Sequence, residues 1–245
     1  WIEVPLDIQR MEVLPRLLKK FEITEKENFE EVTKEGVSKT LDRLYKSKHP
    51  LLLVGQGVRI AKGYKLFELV VKKTKIPVIT TRLGIDLIES NNKLYVGRPG
   101  LYGDRAANFA VQNADTIIAI GARLDTGIIG YNVEDWGRNA KKIVVEIDPK
   151  ELDKSGIDIS LKINTDAKSF FEELLLQLKL QKLPNFSKWI RVCNTWKKRY
   201  PMVLPQYKNE KPINSYYFTD KLSDAATKDD MILVDTSSPF HVVCQ

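Results

Sequence analysis

Short apolar runs alternate along the chain with segments of helical period, and this alternation constrains the fold more than any other feature. The runs span residues 51–54, 76–80, 116–120, 143–147 and 159–163. Almost every side chain in them is apolar, which is typical of strands that are covered on both faces. The pattern predicts an α/β fold in which a parallel sheet carries helices on both faces.

Helices are predicted between and around these strands. Apolar residues recur at helical spacing over residues 35–46, 60–71, 104–113 and 166–178. Asp104 stands where a helix cap or a first-turn acid is expected. The sequence Asn164-Thr165-Asp166 predicts a capped start for the last of the four helices.

The composition changes after residue 180, where Pro184 interrupts the chain. We predict a helix over residues 188–200, then a linker punctuated by prolines, and then a helix over residues 213–226. Residues 231–235 are predicted to form a buried strand that runs into a polar turn at residues 236–239.

Charge and cysteine usage exclude several classes of protein. The net charge is +7, but the lysines are spread over amphipathic stretches, as on solvated helix faces, so nucleic acid is not expected as a partner. No apolar run approaches the ~20 residues of a membrane span, so no membrane partner is expected.

Cys193 and Cys244 are too far apart in sequence to indicate a disulfide scaffold or a zinc site, and we expect a cytoplasmic protein. Residues 1–5 lack an initiator methionine and a signal-peptide pattern, so we expect the chain to begin inside a longer protein.

Glycines follow the first strand. In an open parallel sheet, ligands bind at the carboxyl ends of the strands, where glycine turns and helix N-termini attract phosphate. Gly55-Gln56-Gly57 follows the first strand and opens a helix, so its glycines let the backbone approach a nucleotide or simply make a tight turn. The motif alone leaves both interpretations open.

Polar and charged groups follow the later strands in the same way. Thr81 and Arg82 end the second strand, and Gly100-Leu101-Tyr102-Gly103 precedes an alanine-rich helix. The fourth run ends in Glu146-Ile147-Asp148, whose carboxylates either accept hydrogen bonds from ribose hydroxyls or cap the following turn. Gly121-Ala122-Arg123-Leu124-Asp125 ends the third run with a guanidinium and a carboxylate that suit a ligand or a surface ion pair. Repetition at successive strand ends favours a ligand site more than any single motif does.

The two histidines give no support for a hydrolase triad, because neither has a serine or cysteine nucleophile at a recognisable spacing. His49 lies at the entry to a strand, which is the wrong end for a site in this topology, and is expected at the surface. His241 follows the polar turn near the end of the chain, where it would lie near a cofactor phosphate or pack at the start of a helix.

Two stretches of the chain resemble the central domain of acetolactate synthase large subunits, which are thiamine diphosphate-dependent enzymes. They are residues 101–115, which contain Ala-Asn-Phe-Ala-Val-Gln-Asn-Ala-Asp, and residues 118–125. The resemblance implies a Rossmann-like parallel sheet of six strands. It also implies four units, which are the end of an N-terminal pyrimidine-binding domain with a linker (1–30), a central domain that binds FAD or ADP (31–182), a helical linker (183–212) and the start of a C-terminal diphosphate-binding domain (213–245).

The resemblance also implies which residues bind cofactors. The positions that match the family's nucleotide site are Gly55, Gln56, Gly57, Thr81, Arg82, Leu101, Gly103, Gly121, Arg123, Asp125, Glu146, Ile147 and Asp166. Ser237 and Ser238 are candidates for holding a diphosphate through hydroxyls and turn amides. No catalytic residue and no metal ligand is predicted within the chain, because the activating glutamate and the magnesium motif of the family do not occur in it.

The chain departs from the family pattern at three places. Leu101-Tyr102-Gly103 stands where the family has Met-His-Gly, and residues 123–127, Arg-Leu-Asp-Thr-Gly, stand where it has Arg-Phe-Asp-Asp-Arg. Asp-Thr-Ser-Ser-Pro at residues 235–239 replaces Asp-Val-Gly-Gln-His. The missing second arginine removes a cation that pairs with phosphate or stacks on a ring, so either FAD or ADP is expected in the central domain.

The implied function is decarboxylation of pyruvate or another 2-keto acid and transfer of the two-carbon unit to a second carbonyl, with a keto-sugar among the acceptors considered. Thiamine diphosphate and magnesium would be held mostly outside these 245 residues, in a homodimer or homotetramer, and the fragment alone is not expected to be active. Two alternatives remain, which are a thiamine diphosphate-dependent 2-keto acid or acyl-CoA decarboxylase with ADP in the central site, and a non-catalytic module for nucleotide binding or oligomerisation.

Overall fold

The computed structural model describes residues 2–20, 30–154, 156–227 and 229–244. The first predicted unit, residues 1–30, therefore lies partly outside the described residues, at Trp1 and at residues 21–29. The strands are β1 (Pro50–Val54), β2 (Val78–Thr80), β3 (Tyr95–Gly97), β4 (Thr116–Ile120), β5 (Lys141–Glu146) and β6 (Ile159–Asn164).

Eleven α-helices lie within the described residues. They are α1 (Leu6–Gln9), α2 (Glu30–Lys46), α3 (Gly57–Ile60), α4 (Tyr64–Thr74), α5 (Arg105–Asn113), α6 (Thr126–Ile129), α7 (Pro149–Leu152), α8 (Ala167–Gln177), α9 (Ser187–Arg199), α10 (Ser215–Ala225) and α11 (Ser238–Val243). Short 3-10 helices occur at Pro15–Leu17, Arg82–Leu87, Val133–Asp135 and Pro205–Asn209. No helix of the described residues is long and apolar enough to cross a membrane.

The strands form a single parallel sheet in the order β3-β2-β1-β4-β5-β6. Every residue of β1 and β4, the two central strands, is buried, because helices cover both faces of the sheet. At one edge, β6 alternates between partly buried and exposed residues over most of its length. The predicted Rossmann-like α/β fold with six parallel strands and helices on both faces is confirmed.

Alternate residues of β1 point into two separate cores. Leu52 and Val54 pack with apolar residues of α2, α4 and α8 on one face. Leu51 and Leu53 pack on the other face with the alanines of α5 and with Trp189 of α9. The indole Nε1 of Trp189 donates to the carbonyl of Pro50 over 2.9 Å, so α9 is fastened directly to the first strand.

The predicted helix over residues 60–71 is two helices, α3 and α4. Lys62 lies between them with φ 57°, a left-handed conformation that interrupts the helical hydrogen bonds. One strand, β3, was not predicted, because its three residues are too few to show a pattern. It completes the sheet by pairing with β2.

The prediction of a buried strand over residues 231–235 is wrong. These residues form neither strand nor helix, and the side chains of Met231 and Leu233 are 84% and 87% exposed. A strand needs a neighbour to accept and donate its backbone hydrogen bonds, and none of the six strands in the described residues pairs with this segment. The apolar pattern is therefore present without the partner that would bury it.

Candidate nucleotide-binding site

A cavity of about 1670 Å³ lies across the carboxyl ends of the strands. It is lined by residues that follow each of the six strands, which are, in sheet order, Arg98, Thr81, Gln56, Gly121, Ile147 and Asp166. The volume exceeds the ~300–1,000 Å³ of typical small-molecule sites. An extended ligand with several chemical groups, such as a nucleotide or dinucleotide, therefore fits the cavity better than a small metabolite does.

The glycines after β1 are required by contact between two loops. A Cβ atom on Gly55 would lie 2.6 Å from the Cα atom of Ala122, and one on Gly57 would lie 2.6 Å from the Cα atom of Gly121. The loops are joined by hydrogen bonds from the Gly55 amide to the Ile120 carbonyl (3.1 Å) and from the Gly57 amide to the Gly121 carbonyl (3.0 Å). Packing thus accounts for both glycines, while Gly57 and Gly121 also line the cavity.

The loop after β4 has an unusual backbone. Gly121, Arg123 and Leu124 have φ angles of 54°, 59° and 38°, which is a left-handed conformation that costs energy for residues other than glycine. The Arg123 guanidinium Nε lies 3.2 Å from the Glu151 carboxylate, so it forms its ion pair with α7 rather than with the nearby Asp125. Lys154 donates to the Arg123 carbonyl over 2.6 Å and also pairs with Glu151.

Three acids at strand ends serve as helix caps. Asp125 accepts the Ile128 amide of α6 at 3.2 Å, and Asp148 accepts the Lys150 amide of α7 at 2.9 Å. Asp166 accepts two amides of α8 and the Ser169 hydroxyl. The predicted cap at Asp166 is confirmed. These carboxylates are fixed in position at the cavity wall, and each contributes negative charge to it.

Glu146 is held differently, by its own neighbour. Its Oε1 atom accepts the Ile147 amide at 3.0 Å. Burial raises the pKa of Glu146 above its usual value of 4.5, although hydrogen bonds from the Ile147 and Arg123 amides act in the opposite direction. A partly desolvated carboxyl that is already directed at the cavity is a suitable acceptor for ligand hydroxyls.

An aromatic cluster closes the β2 and β3 end of the cavity. His241 of α11 stacks on Tyr102 with ring centroids 3.9 Å apart, and the Arg82 guanidinium lies over Phe240 at 4.9 Å and over Tyr102 at 6.0 Å. The structure therefore supports a packing role for His241. His49 is exposed, as predicted, and stacks on Trp189 at 4.6 Å between ring centroids.

Comparison with known proteins agrees with this architecture. Residues 37–174 match the central domain of thiamine pyrophosphate enzymes. The chain belongs to this family. The matched residues run from α2 to α8 and include all six strands, so the family assignment rests on the same part of the chain that forms the sheet and most of the cavity wall.

The relatives of this central domain are acetolactate synthases. The chain is 36% identical over 174 residues to an acetolactate synthase large subunit of Cyanidium caldarium, which covers 69% of the chain and 29% of the relative. It is 29% identical over 234 residues to the acetolactate synthase large subunit of Lactococcus lactis, which covers 95% of the chain and 39% of the relative. It is 28% identical over 207 residues to the mitochondrial acetolactate synthase catalytic subunit of Saccharomyces cerevisiae, which covers 80% of the chain and 30% of the relative. The chain thus spans between about three tenths and two fifths of the length of these relatives.

The thiamine pyrophosphate enzyme central domain brings most of the predicted nucleotide-binding residues to one cavity. Those that line it are Gln56, Gly57, Thr81, Arg82, Gly103, Gly121, Arg123, Asp125, Glu146, Ile147 and Asp166. Gly55 and Leu101 lie beside it, with Gly55 under the loop contact and Leu101 46% exposed. The Leu101 amide donates to the Gly127 carbonyl over 3.0 Å, which ties the loop after β3 to the loop after β4.

The acid at the start of α5 has a role that the sequence did not indicate. Asp104 occupies the N-cap position, but its carboxylate makes no bond to the helix. Its Oδ2 atom instead accepts the Arg98 amide at 2.6 Å. The cap prediction is therefore wrong for the side chain, because the turn at the end of β3 offers a closer donor.

Sequence reasoning missed several groups that line this cavity, and two of them stand out. Arg98 follows β3, and Phe240 belongs to α11. Arg98 escaped notice because β3 was not predicted, so the residue had no strand end to mark it. The apolar character of Phe240 gave no signal of its place in the wall.

The described residues contain no group of three or more histidine, cysteine, aspartate or glutamate side chains that could hold a metal ion. Ser237 and Ser238 are exposed, and they are not part of the cavity wall, although α11 starts at Ser238. Their assignment to a diphosphate stays a prediction.

Proposed function

We propose that this chain is the nucleotide-binding centre of a thiamine diphosphate-dependent carboligase of the acetolactate synthase type. The observation that supports this most is the cavity, to which residues after all six strands of a thiamine pyrophosphate enzyme central domain contribute. The whole enzyme would decarboxylate pyruvate or another 2-keto acid and transfer the two-carbon unit to a second carbonyl, such as that of a keto-sugar. Thiamine diphosphate supplies the electron sink for this chemistry when it is bound by the enzyme's other domains.

Within such an enzyme, the residues of this chain would hold an adenine nucleotide, either FAD or ADP. Gln56, Gly57 and Gly121 present backbone close to the ligand, and Glu146 and Asp148 offer carboxylate oxygens to ribose hydroxyls. The ligand would fix the loops after β1 and β4 against each other. We therefore propose that the nucleotide has a structural role and takes no part in the bond-making steps, in a cytoplasmic homodimer or homotetramer.

Calorimetric titration of the chain with FAD and with ADP tests the binding proposal. We expect saturable heat with at least one of them, and the absence of heat with both would refute it. An absorbance band of flavin in the purified full-length protein would identify FAD as the native ligand.

A second assay tests the reaction in the full-length protein supplied with thiamine diphosphate, magnesium and pyruvate. A carboligase releases carbon dioxide and forms a hydroxy-keto acid or a hydroxy-ketone with the acceptor. The alternative decarboxylase of 2-keto acids or acyl-CoA substrates releases carbon dioxide and the free aldehyde or the shortened thioester. Carbon dioxide release from neither class of substrate would favour the non-catalytic module.

A further inference from the structure

The two ends of the cavity differ in charge. At the β5 and β6 end the wall contains the carboxylates of Glu146, Asp148 and Asp166, together with Lys168 and Lys179 in and after α8. At the β3 and β2 end it contains two arginines, Arg98 after β3 and Arg82 after β2. A ligand that spans the cavity is therefore offered carboxylate acceptors at the β5 and β6 end and guanidinium groups at the β3 and β2 end.

Arg98 is positioned by the strand that precedes it. Its Nη1 atom donates to the Tyr95 hydroxyl at 3.2 Å, and that hydroxyl lies 3.4 Å from the Oγ1 atom of Thr80 on the neighbouring strand. Tyr95 is only 4% exposed, so the anchor is rigid. The Arg98 amide is fixed as well, by its 2.6 Å bond to Asp104. Both the backbone and the side chain of Arg98 are thus held at the cavity wall.

The guanidinium of Arg98 retains unused hydrogen-bonding capacity. Within the described ranges its Nε atom is buried and has no hydrogen-bond partner. Leaving such a donor without an acceptor is unfavourable, and more so for a charged group, so an acceptor at this point would be strongly favoured. Since the residue lines the cavity, a bound ligand can approach the guanidinium, and a small rotation of the side chain would bring the Nε donor to it.

The charge of Arg98 is only partly balanced by protein groups. The Asp104 carboxylate is near enough to the Arg98 guanidinium to interact with it electrostatically. The two side chains do not come within salt-bridge distance in the described structure. Lys197 is a second cation near the same carboxylate. Arg82 likewise has no ion pair there and lies over aromatic rings. In contrast, the cavity's third arginine, Arg123, is paired with Glu151.

Arg98 also lies on the loop that meets the segment lacking the family's second arginine. Gly127 occupies that position, and its carbonyl accepts the Leu101 amide, three residues beyond Arg98. The two loops are so close that a Cβ atom on Gly100 would clash with the Gly127 carbonyl. The loop that carries Arg98 is thus packed directly against the loop after β4.

We propose that Arg98, together with Arg82, forms an anion subsite that receives the terminal phosphate of an adenine nucleotide. The proposal rests on the nucleotide-binding function above and makes a nucleoside diphosphate of the ADP class a better ligand than FAD. The guanidinium fork pairs with phosphate oxygens through two charge-assisted hydrogen bonds. FAD carries the same two phosphates, but its second phosphate is a singly charged diester with one non-bridging oxygen fewer, so it pairs less completely with two guanidinium groups.

Calorimetric titrations with ADP, adenosine and FAD test this subsite. The native chain is expected to bind ADP at least tenfold more tightly than adenosine. Arg98→Gln should weaken ADP binding by about 10- to 100-fold, as expected for loss of a charge-assisted hydrogen bond, and leave adenosine binding within twofold. Arg98→Lys keeps the charge and loses the forked guanidinium, so its affinity for ADP should lie between those of the native chain and Arg98→Gln.

Arg59→Gln is the matched control. Arg59 follows β1, is paired with Asp86 over a short N–O contact, and lies outside the cavity wall. The Arg59→Gln substitution removes one positive charge from the same side of the sheet, so the affinity for ADP should change by less than threefold. Thermal unfolding of each variant without ligand shows whether the fold is intact, and the Lys variant keeps the test open if the Gln variant unfolds.

The outcomes separate the subsite from the function on which it rests. The subsite is refuted if Arg98→Gln binds ADP as the native chain does, or if it weakens adenosine and ADP equally. Failure of ADP, adenosine and FAD all to bind the native chain would instead refute the nucleotide-binding function. Inorganic pyrophosphate then tests the subsite alone, since its binding to the native chain should be lost in Arg98→Gln, and no binding to the native chain would refute the subsite too.

Discussion

The contact between the loops after β1 and β4 makes a quantitative prediction for Gly55→Ala. The new Cβ atom would lie 2.6 Å from the Cα atom of Ala122, about 0.8 Å closer than the shortest ordinary contact of ~3.4 Å, and would also meet the Gly121 carbonyl. The φ angle of Gly55 is not in the left-handed region, so the cost is steric. Because the obstacle is backbone on both sides, no side-chain rotation relieves it.

The expected loss of stability in Gly55→Ala follows from the displacement of the two loops. Overpacking costs ~1–3 kcal/mol, and separating the loops weakens the Gly55–Ile120 and Gly57–Gly121 hydrogen bonds, each contributing ~0.5–1.5 kcal/mol. We expect Gly55→Ala to lower the free energy of unfolding by about 2–5 kcal/mol. For a chain of this length that corresponds to a fall in Tm of roughly 5–15 °C.

Urea denaturation followed by far-UV circular dichroism measures this loss without ligand. Gly63→Ala is the control, because its Cβ atom meets no heavy atom closer than 3.4 Å, and its free energy of unfolding should change by less than about 1 kcal/mol. If Gly55→Ala were as stable as the native chain and lost only nucleotide affinity, the reasoning would be wrong. The glycine would then serve the ligand rather than the loop contact.

Three further predictions concern other parts of the domain. Burial alone would raise the pKa of Asp115, but hydrogen bonds from the Ser47 hydroxyl and the Lys48 and His49 amides, in the loop before β1, lower it below 3.8. Asp115→Ala should therefore lose ~2–4 kcal/mol at pH 7 in urea denaturation, and the part of this difference that depends on the carboxylate charge should be lost as the pH falls from 3.8 through the lowered pKa. Trp189→Ala, which empties a buried site and frees the Pro50 carbonyl, should lose ~3–5 kcal/mol by the same measurement. Burial raises the pKa of Glu146 above 4.5, so between pH 4.5 and the raised pKa the folded chain binds more protons than the unfolded chain does. The free energy of unfolding should therefore fall as the pH rises through this range, and thermal unfolding of Glu146→Gln as a function of pH should show a smaller fall.

Controls and contrary outcomes are specific to each change. Asp42, exposed on α2, is the control for Asp115, and equal losses for Asp42→Ala and Asp115→Ala would contradict the role of the hydrogen bonds. Trp189→Phe keeps much of the volume and should lose clearly less than the alanine variant. A pH profile of Glu146→Gln identical to that of the native chain would show that burial of this carboxyl does not affect stability.

The sequence predicted the central part of the fold well because burial on both faces leaves a simple pattern. The runs that became β1 and β4 are apolar apart from Thr116, and β4 was predicted at its exact bounds. By contrast, the three residues of β3 carry no comparable signal, and Arg98 was missed with them. Short edge strands are formed by the partner beside them, which a local pattern does not contain.

The site was predicted by position more than by role. Strand ends correctly gathered most of the named residues into one cavity, since topology alone brings the ends of parallel strands together. The partner of each charge depended on three-dimensional contacts. Thus Arg123 pairs with Glu151 rather than with Asp125, and Asp104 binds the Arg98 amide rather than α5.

The exposed apolar segment at residues 231–234 has a consequence for the colloidal stability of the chain. Met-Ile-Leu-Val has strong β propensity and no charge, which is the composition of segments that nucleate intermolecular sheets. Asp230 and Asp235 flank it directly, and hydrogen bonds from Thr227 lower the pKa of Asp230. Two charges that flank an apolar run are the pattern of gatekeeper residues, so replacing both carboxylates by amides should lower the solubility of the chain at micromolar concentration.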